Sequence, residues 1–129
     1  MARVRQSSIA ALLALVVLTV ILGACGGDDD SGTERGLTLT ATGGKVTVVA
    51  RDLYFNAKEI DAPAGPLAVT LDNKGAVLHD FTIDDPKFKV DATAGKSKTG
   101  TVDLTPGNYA YYCNVPGHKA SMHGTLVVK

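Results

Sequence analysis

Three side chains that bind soft or borderline metal ions lie close together near the carboxyl end of this 129-residue chain. Cys113, His118 and Met122 offer a thiolate, an imidazole and a thioether in a loop between two predicted strands. Sulfur ligands favour copper over hard cations, and the four residues between the cysteine and the histidine allow the loop to fold back onto one ion. The donor types and their spacing therefore predict a copper site.

A mononuclear copper site of this kind needs a second imidazole. One thiolate and two imidazoles form its trigonal plane, and a methionine is its weak axial ligand. His79 is the natural supplier, since it lies on a predicted strand just after a turn at residues 73–75. His123 adjoins Met122, but neighbouring side chains on a strand point to opposite sides. We therefore expect His123 to be exposed to solvent and not to bind the metal.

Each of the four candidate ligands also has an ordinary structural interpretation when it is taken alone. Cys113 fits a buried, inert thiol, and His118 fits a surface loop residue. His79 fits a hydrogen-bonded histidine within a strand, and Met122 fits a core side chain. Because packing alone does not require this combination at this spacing, we favour one shared metal site.

The small number of metal-binding residues excludes several classes of copper enzyme. A dinuclear electron-transfer copper site needs two bridging thiolates, and Cys113 is the single cysteine after Cys25. A second, catalytic copper needs further histidines, and only His123 would remain for it. The sequence also contains no HExxH motif and no glycine-rich phosphate loop. We therefore predict that the protein is not an enzyme.

The elements that must position these residues are predicted to be strands. From residue 37 onward, short apolar or β-branched stretches alternate with turns rich in Gly, Pro, Asn and Asp, and no long stretch has helical periodicity. We interpret residues 84–97 as a loop or a short helical turn. About eight strands predict an all-β, Greek-key sandwich of two sheets. The candidate strands span residues 37–41, 45–50, 53–56, 67–72, 76–83, 99–104, 108–113 and 124–128.

Three tyrosines lie on the predicted strand that leads into Cys113. Tyr109 follows a turn at residues 104–108, as in the tyrosine corner that holds Greek-key connections through its hydroxyl group. Tyr111 and Tyr112 are consecutive, so we expect one of them to face the core and the other to face the surface.

The ligand loop and its surroundings resemble those of a known family. The Cys-x4-His-x3-Met loop, the distant His-Asp-Phe at residues 79–81 and the Gly-Thr-Leu-Val-Val at residues 124–128 resemble small cupredoxins of the plastocyanin/azurin family, with a loop of the azurin type. The resemblance covers residues 37–129 and implies a blue, type 1 copper protein with one copper ion per chain. The ligands that it implies are His79, Cys113 and His118 in the equatorial plane and Met122 on the axis.

Two residues next to the first histidine depart from the family pattern. Asp80 stands where asparagine is the commoner family residue, and a carboxylate can brace the ligand loop only if a donor lies opposite it. Leu78 stands where some azurin-type proteins have a glycine whose carbonyl group approaches copper, so we do not expect a fifth ligand. We do expect backbone N–H groups near Asp80 and Val115 to donate to the Cys113 sulfur.

The resemblance also implies single-electron transfer. The edge of His118 would reach the surface in a small apolar patch, and redox protein partners would dock there in weak encounters. The patch consists of Val115, Pro116, Gly117 and Ala120. We expect a monomer. The alternatives are a copper storage or delivery protein of the cell envelope without an electron-shuttle role, and a scaffold of the same fold without copper.

The amino-terminal segment has the features of an export signal. Two arginines precede an uncharged stretch at residues 9–22, which is shorter than the roughly 20 apolar residues of a membrane-spanning helix. Leu-Gly-Ala-Cys at residues 22–25 resembles the lipobox of bacterial lipoproteins. We predict a lipoprotein signal peptide at residues 1–24, a lipidated Cys25 with a flexible acidic tether at residues 25–36, and one domain at residues 37–129. A conventional cleavage site near Cys25 and an uncleaved anchor are the alternatives.

Chain length and net charge limit the number of domains and the remaining functional classes. A chain of this length builds one domain with one core. The 13 basic residues balance the 13 acidic residues, so no basic excess is available for nucleic-acid binding. With the export signal, this predicts a protein anchored to the cell membrane through the lipid and facing the periplasm or the extracellular side.

Overall fold

The computed structural model describes residues 35–129, so the predicted signal peptide, the lipidation at Cys25 and most of the tether lie outside the described residues. The described part consists of ten strands joined by turns and loops. The strands are β1 (Leu37–Thr40), β2 (Lys45–Arg51), β3 (Tyr54–Phe55), β4 (Ala57–Ala62), β5 (Gly65–Asn73), β6 (His79–Ile83), β7 (Phe88–Ala92), β8 (Ser97–Leu104), β9 (Gly107–Tyr112) and β10 (His123–Val128). Within residues 35–129 there is no apolar helix of membrane-spanning length.

The strands form two sheets around one hydrophobic core. One sheet has the order β1-β4-β10-β9-β6-β7, and the other has the order β3-β2-β5-β8. Many neighbours are antiparallel, but β4 is parallel to both β1 and β10, and β2 is parallel to β5. Alternate residues of both sheets point inward and fill the core. The prediction of an all-β, Greek-key sandwich is confirmed.

Two strands were missed by the sequence analysis. The interpretation of residues 84–97 as a loop or helical turn is wrong for its middle part, because Phe88–Ala92 is a strand. Val90 and Ala92 are buried, whereas Lys89 before them is exposed and Asp91 between them is only partly buried, and this alternation is the period of a strand. The strand Ala57–Ala62 was also missed, because three of its six residues are charged and mask the apolar ones.

Aromatic side chains hold the centre of the sandwich. Phe81 stacks on Tyr111 with ring centroids 4.6 Å apart, and Phe55 lies 5.7 Å from Tyr111. The buried hydroxyl group of Tyr111 donates to the carbonyl oxygen of Ala57 at 2.9 Å. This hydrogen bond satisfies the polar end of the ring and ties β9 to the start of β4.

The other two tyrosines of β9 also have specific partners. The Tyr109 hydroxyl group donates to the Thr105 carbonyl oxygen at 2.7 Å, so the predicted tyrosine corner is present. Tyr112 lies outside the core cluster, as alternation requires, but it is only 8% exposed. Lys119 Nζ lies over the Tyr112 ring, 3.6 Å from its centroid. The Tyr112 hydroxyl group donates to Asp84 Oδ1 at 2.6 Å. The expectation of an exposed second tyrosine is therefore wrong.

Candidate metal centre

Antiparallel pairing brings the predicted ligands to one end of the larger sheet. β6 pairs with β9, so the start of β6 and the end of β9 meet. His79 is the first residue of β6, and Cys113 directly follows β9. The loop from Cys113 to Met122 closes on itself, because the Cys113 N–H donates to the Met122 carbonyl oxygen at 2.9 Å. A second hydrogen bond of 2.9 Å, from the Met122 N–H to the His118 carbonyl oxygen, holds residues 118–122 in a turn.

Three of the predicted ligands converge. The donor atoms of His79, Cys113 and His118 all lie within 4.8 Å of one another. Cys113 Sγ lies 3.9 Å from His79 Nδ1 and 3.7 Å from His118 Nδ1. Met122 is fully buried in the same core cluster as Cys113. The three members of this group are three of the four ligands predicted from the sequence, and they come from two separate segments of the chain.

The spacing of the donor atoms fits a first-row metal ion in a trigonal plane. With metal–sulfur and metal–nitrogen bonds of about 2.3 and 2.0 Å, an angle of about 120° places sulfur and nitrogen about 3.7 Å apart, and a tetrahedral angle places them about 3.5 Å apart. The observed 3.7 and 3.9 Å agree better with the trigonal arrangement. One thiolate and two imidazoles in such a plane, with a methionine sulfur nearby, suit copper.

The Cys113 thiol lies in an environment that favours its neutral form until a metal binds. Burial raises the pKa of Cys113, whereas the backbone N–H groups of Asp80 and Val115 act in the opposite direction. The Asp80 N–H donates to Sγ at 3.4 Å. These are the two groups expected from the sequence. Because a metal binds the thiolate, loading the site releases the Cys113 proton.

His79 is neutral near pH 7 because it is buried. Burial lowers the pKa of His79, and the Asp52 carboxylate acts in the opposite direction. His79 Nε2 lies 3.2 Å from Asp52 Oδ1. Two hydrogen bonds hold the pKa of Asp52 below its usual range, of which the one from the Ala76 N–H has the larger effect and the one from the His79 imidazole the smaller. The sequence analysis missed Asp52, since no local pattern links it to a histidine 27 residues later.

Asp80 braces the ligand loop, and it has the donors that a carboxylate needs. Its side chain is buried, and Oδ1 accepts hydrogen bonds from the Asn114 N–H at 2.7 Å and from the Thr82 hydroxyl group at 2.9 Å. Lys89 Nζ lies 3.3 Å from Oδ2. The Asn114 bond fastens the residue after Cys113 to the residue after His79, so Asp80 connects the two segments that supply the ligands.

The remaining predicted positions lie around the group. His123 is exposed, as expected, and its Nδ1 lies 3.1 Å from the Lys119 carbonyl oxygen. His118 is half-buried in a loop whose residues Pro116, Gly117 and Ala120 are exposed. The sequence analysis did not anticipate the exposed apolar side chains next to the other ligand segment, which are Leu53, Val77 and Leu78.

Comparisons with known proteins agree with this geometry. The profile of the cupredoxin-like domain family matches residues 11–128. An auracyanin from the photosynthetic bacterium Roseiflexus castenholzii is 21% identical, with a TM-score of 0.61 over 69% of this chain and 98% of that one. Auracyanin A, a blue copper protein from Chloroflexus aurantiacus, is 22% identical, with a TM-score of 0.55 over 66% and 99% of the two chains. Reduced rusticyanin is 27% identical, with a TM-score of 0.56 over 71% and 84%. No curated protein sequence matches the chain significantly.

The family match covers nearly the whole domain, and the structural neighbours share its fold. The resemblance inferred from the ligand loop is thereby confirmed. The chain belongs to the cupredoxin-like domain family, and its His79, Cys113, His118 and Met122 are arranged as a type 1 copper site.

Proposed function

We propose that the protein carries single electrons between redox partners through one copper ion bound by His79, Cys113, His118 and Met122. The observation that carries this proposal is the convergence of one thiol and two imidazoles within 4.8 Å at the end of the larger sheet. The similarity to a blue copper protein, auracyanin A, supports it. The small number of histidines and cysteines supports a carrier without enzymatic activity.

A bound copper ion would supply a one-electron Cu(I)/Cu(II) couple. The chain supplies a fixed position for the ligands. His79, Cys113 and Met122 are fully buried, and the loop that contains the last two is closed by a hydrogen bond between them. The transfer of one electron in and one electron out makes and breaks no covalent bond in these residues. A site that does not rearrange therefore suits both oxidation states.

Partners would dock on the loop around His118. This residue is the one member of the four that is not fully buried, and exposed Pro116, Gly117 and Ala120 surround it in sequence. Electron-transfer encounters use small, weak interfaces, and a patch of this kind is sufficient for them. Replacing Ala120 with Glu should slow electron self-exchange between reduced and oxidised copies, measured by NMR line broadening. Thr101→Glu on β8 of the other sheet is the control and should leave the rate unchanged.

Burial of the ligands favours electron transfer over copper storage or delivery. A delivery protein hands over its ion by exchanging ligands with a partner, which requires ligands that reach the surface. Here His79, Cys113 and Met122 each have 0% exposure. An ion held by these residues is shielded from exchange, whereas an electron can leave through the His118 edge.

We also propose that the protein is exported and held at the cell membrane by a lipid on Cys25, with the domain facing the periplasm or the extracellular side. The support is the basic start, the uncharged stretch at residues 9–22 and the Leu-Gly-Ala-Cys sequence that ends at Cys25. Mass spectrometry of the membrane fraction should find an acylated cysteine as the first residue. Cys25→Ser should release the protein from that fraction.

The copper proposal is tested by the visible spectrum of the copper-loaded protein. Thiolate-to-copper charge transfer should give an intense visible band that Cys113→Ser abolishes. His123→Ala is the matched control, because it removes an exposed histidine next to the loop, and it should keep the band. A colourless copper complex of the wild type would refute the type 1 assignment. Rapid loss of copper to a chelator would favour storage or delivery.

A further inference from the structure

Both ring nitrogens of His79 have a specific neighbour. Nδ1 lies 3.9 Å from Cys113 Sγ, and Nε2 lies 3.2 Å from Asp52 Oδ1. The His79 side chain is fully buried, whereas that of Asp52 is 52% exposed. Asp52 does not belong to the group of converging ligands. A carboxylate at the surface thus reaches the far side of a buried metal ligand.

This contact determines which nitrogen of His79 carries the proton. An ionised carboxylate only accepts hydrogen bonds, so Nε2 must be the protonated nitrogen that donates to Asp52. In the neutral ring, Nδ1 then keeps its lone pair and faces the Cys113 sulfur. The orientation and the tautomer are both those that a metal between Nδ1 and Sγ requires.

Residues 75 and 76 leave room for the contact between Asp52 and His79 and hold the carboxylate in place. The Ala76 N–H donates to both carboxylate oxygens of Asp52, at 2.9 and 3.1 Å, which fixes the carboxylate in place. Gly75 has no side chain at the point of contact. A Cβ atom there would clash with Asp52 Oδ1 and would lie 2.8 Å from His79 Nε2. Leu53, the residue after Asp52, has a φ of 66°, a backbone conformation that non-glycine residues rarely adopt.

We propose that Asp52 is a positioning residue of the metal centre: its carboxylate accepts the Nε2–H of His79, holds the ring in the metal-binding tautomer and favours the more positively charged, oxidised state of the site. This inference rests on the proposed copper function for its redox part. Its structural part concerns His79 and Asp52 alone and is measurable without metal. Carboxylate partners of metal-bound histidines typically change metal affinity by about 10- to 100-fold.

The first experiment reads the His79 tautomer in the copper-free protein. Long-range ¹H–¹⁵N NMR at about pH 8, where a histidine of ordinary pKa is neutral, should show the Nε2–H form in the wild type. Asp52→Ala and Gly75→Ala should both weaken this preference, the first by removing the acceptor and the second by displacing it. Asp52→Asn should keep it, because the Ala76 N–H holds the amide oxygen in the place of Oδ1.

The second experiment measures the reduction potential of the copper-loaded protein. Asp52→Asn removes the charge but keeps an acceptor, so it should weaken Cu(II) binding more than Cu(I) binding. A tenfold fall in the ratio of Cu(II) affinity to Cu(I) affinity raises the reduction potential by about 59 mV. Asp91→Asn is the matched control, because its side chain is 48% exposed and contacts Lys98 instead of a histidine. It should leave the potential unchanged.

The outcomes separate the two proposals. An unchanged His79 tautomer in both Asp52→Ala and Gly75→Ala would overturn the positioning role, and so would an Asp52→Asn potential equal to that of Asp91→Asn. A wild-type protein with the expected tautomer but no thiolate-to-copper band would instead overturn the copper function, because the tautomer is read without metal. Folding of each variant is checked by the Tyr111 and Phe81 ring resonances, which report the core.

Discussion

Replacing Asp80 with alanine should destabilise the copper-free domain strongly. The change removes a hydrogen bond from the Asn114 N–H to a charged acceptor, worth about 1.5–3 kcal/mol, and one from the Thr82 hydroxyl group, worth about 1 kcal/mol. The Lys89 ion pair adds at most about 1 kcal/mol, since the Lys89 side chain is 51% exposed. The expected loss is therefore about 3–5 kcal/mol, which is a large part of a typical domain stability of about 5–15 kcal/mol.

Equilibrium urea unfolding of the copper-free protein measures this loss. With a slope of about 2 kcal/mol per molar urea, the midpoint should fall by about 1.5–2.5 M. Asp80→Asn keeps an acceptor for the Asn114 N–H and should lose less. Asp91→Ala removes an exposed carboxylate directly opposite on β7 and should cost less than about 1 kcal/mol. If Asp80→Ala and Asp91→Ala unfold at the same midpoint, the brace contributes no stability and the reasoning is refuted.

Three further predictions concern the core and the ligands. Gly124→Ala would place a methyl group against the Tyr111 hydroxyl group and 2.7 Å from the Lys58 carbonyl oxygen, so we expect a loss of at least about 1–3 kcal/mol; an unchanged melting temperature would contradict this. Because burial raises the pKa of Cys113, the unfolded thiol ionises first as the pH rises. The copper-free wild type should therefore lose stability above about pH 8.5, by up to about 1.4 kcal/mol per pH unit, and Cys113→Ser should lack this slope in urea unfolding. Met122→Leu conserves volume, so it should cost less than about 1.5 kcal/mol and keep the visible band, but it should shift the reduction potential; an unchanged potential would refute the axial position of Met122.

The sequence predicted the architecture well where strands carry uninterrupted apolar alternation. β5 and β10 were found because their buried apolar residues are Leu and Val and alternate with more exposed residues. β4 escaped because Lys58, Glu59 and Asp61 dominate its composition, although its apolar residues are all buried. The burial of Tyr112 also escaped, since its cover, Lys119, comes from a loop whose path cannot be deduced from strand periodicity.

The candidate ligands were predictable, and the residues that hold them were less so. Cys113, His118 and Met122 lie in one segment with a recognisable spacing. His79 was identified because the site needs a second imidazole and the sequence contains only three histidines. The position of Asp80 pointed to a brace, but its donors had to be read from the structure. Asp52 gave no signal, because its contact with His79 joins a turn of the smaller sheet to the first residue of a strand in the larger sheet, and it also depends on the space left at Gly75.

The position of β10 within the larger sheet has a consequence for how the domain folds. β10 is the last strand in sequence, yet it lies between β4 and β9 in the middle of the larger sheet. Until residues 123–128 are in place, the sheet remains two separate halves, and the loop from Cys113 to Met122 has no second anchor. Such non-local pairing is typical of folding in milliseconds to seconds. The strand order therefore predicts that the two halves of the sheet join, and that the loop from Cys113 to Met122 gains its second anchor, only when residues 123–128 are inserted between β4 and β9.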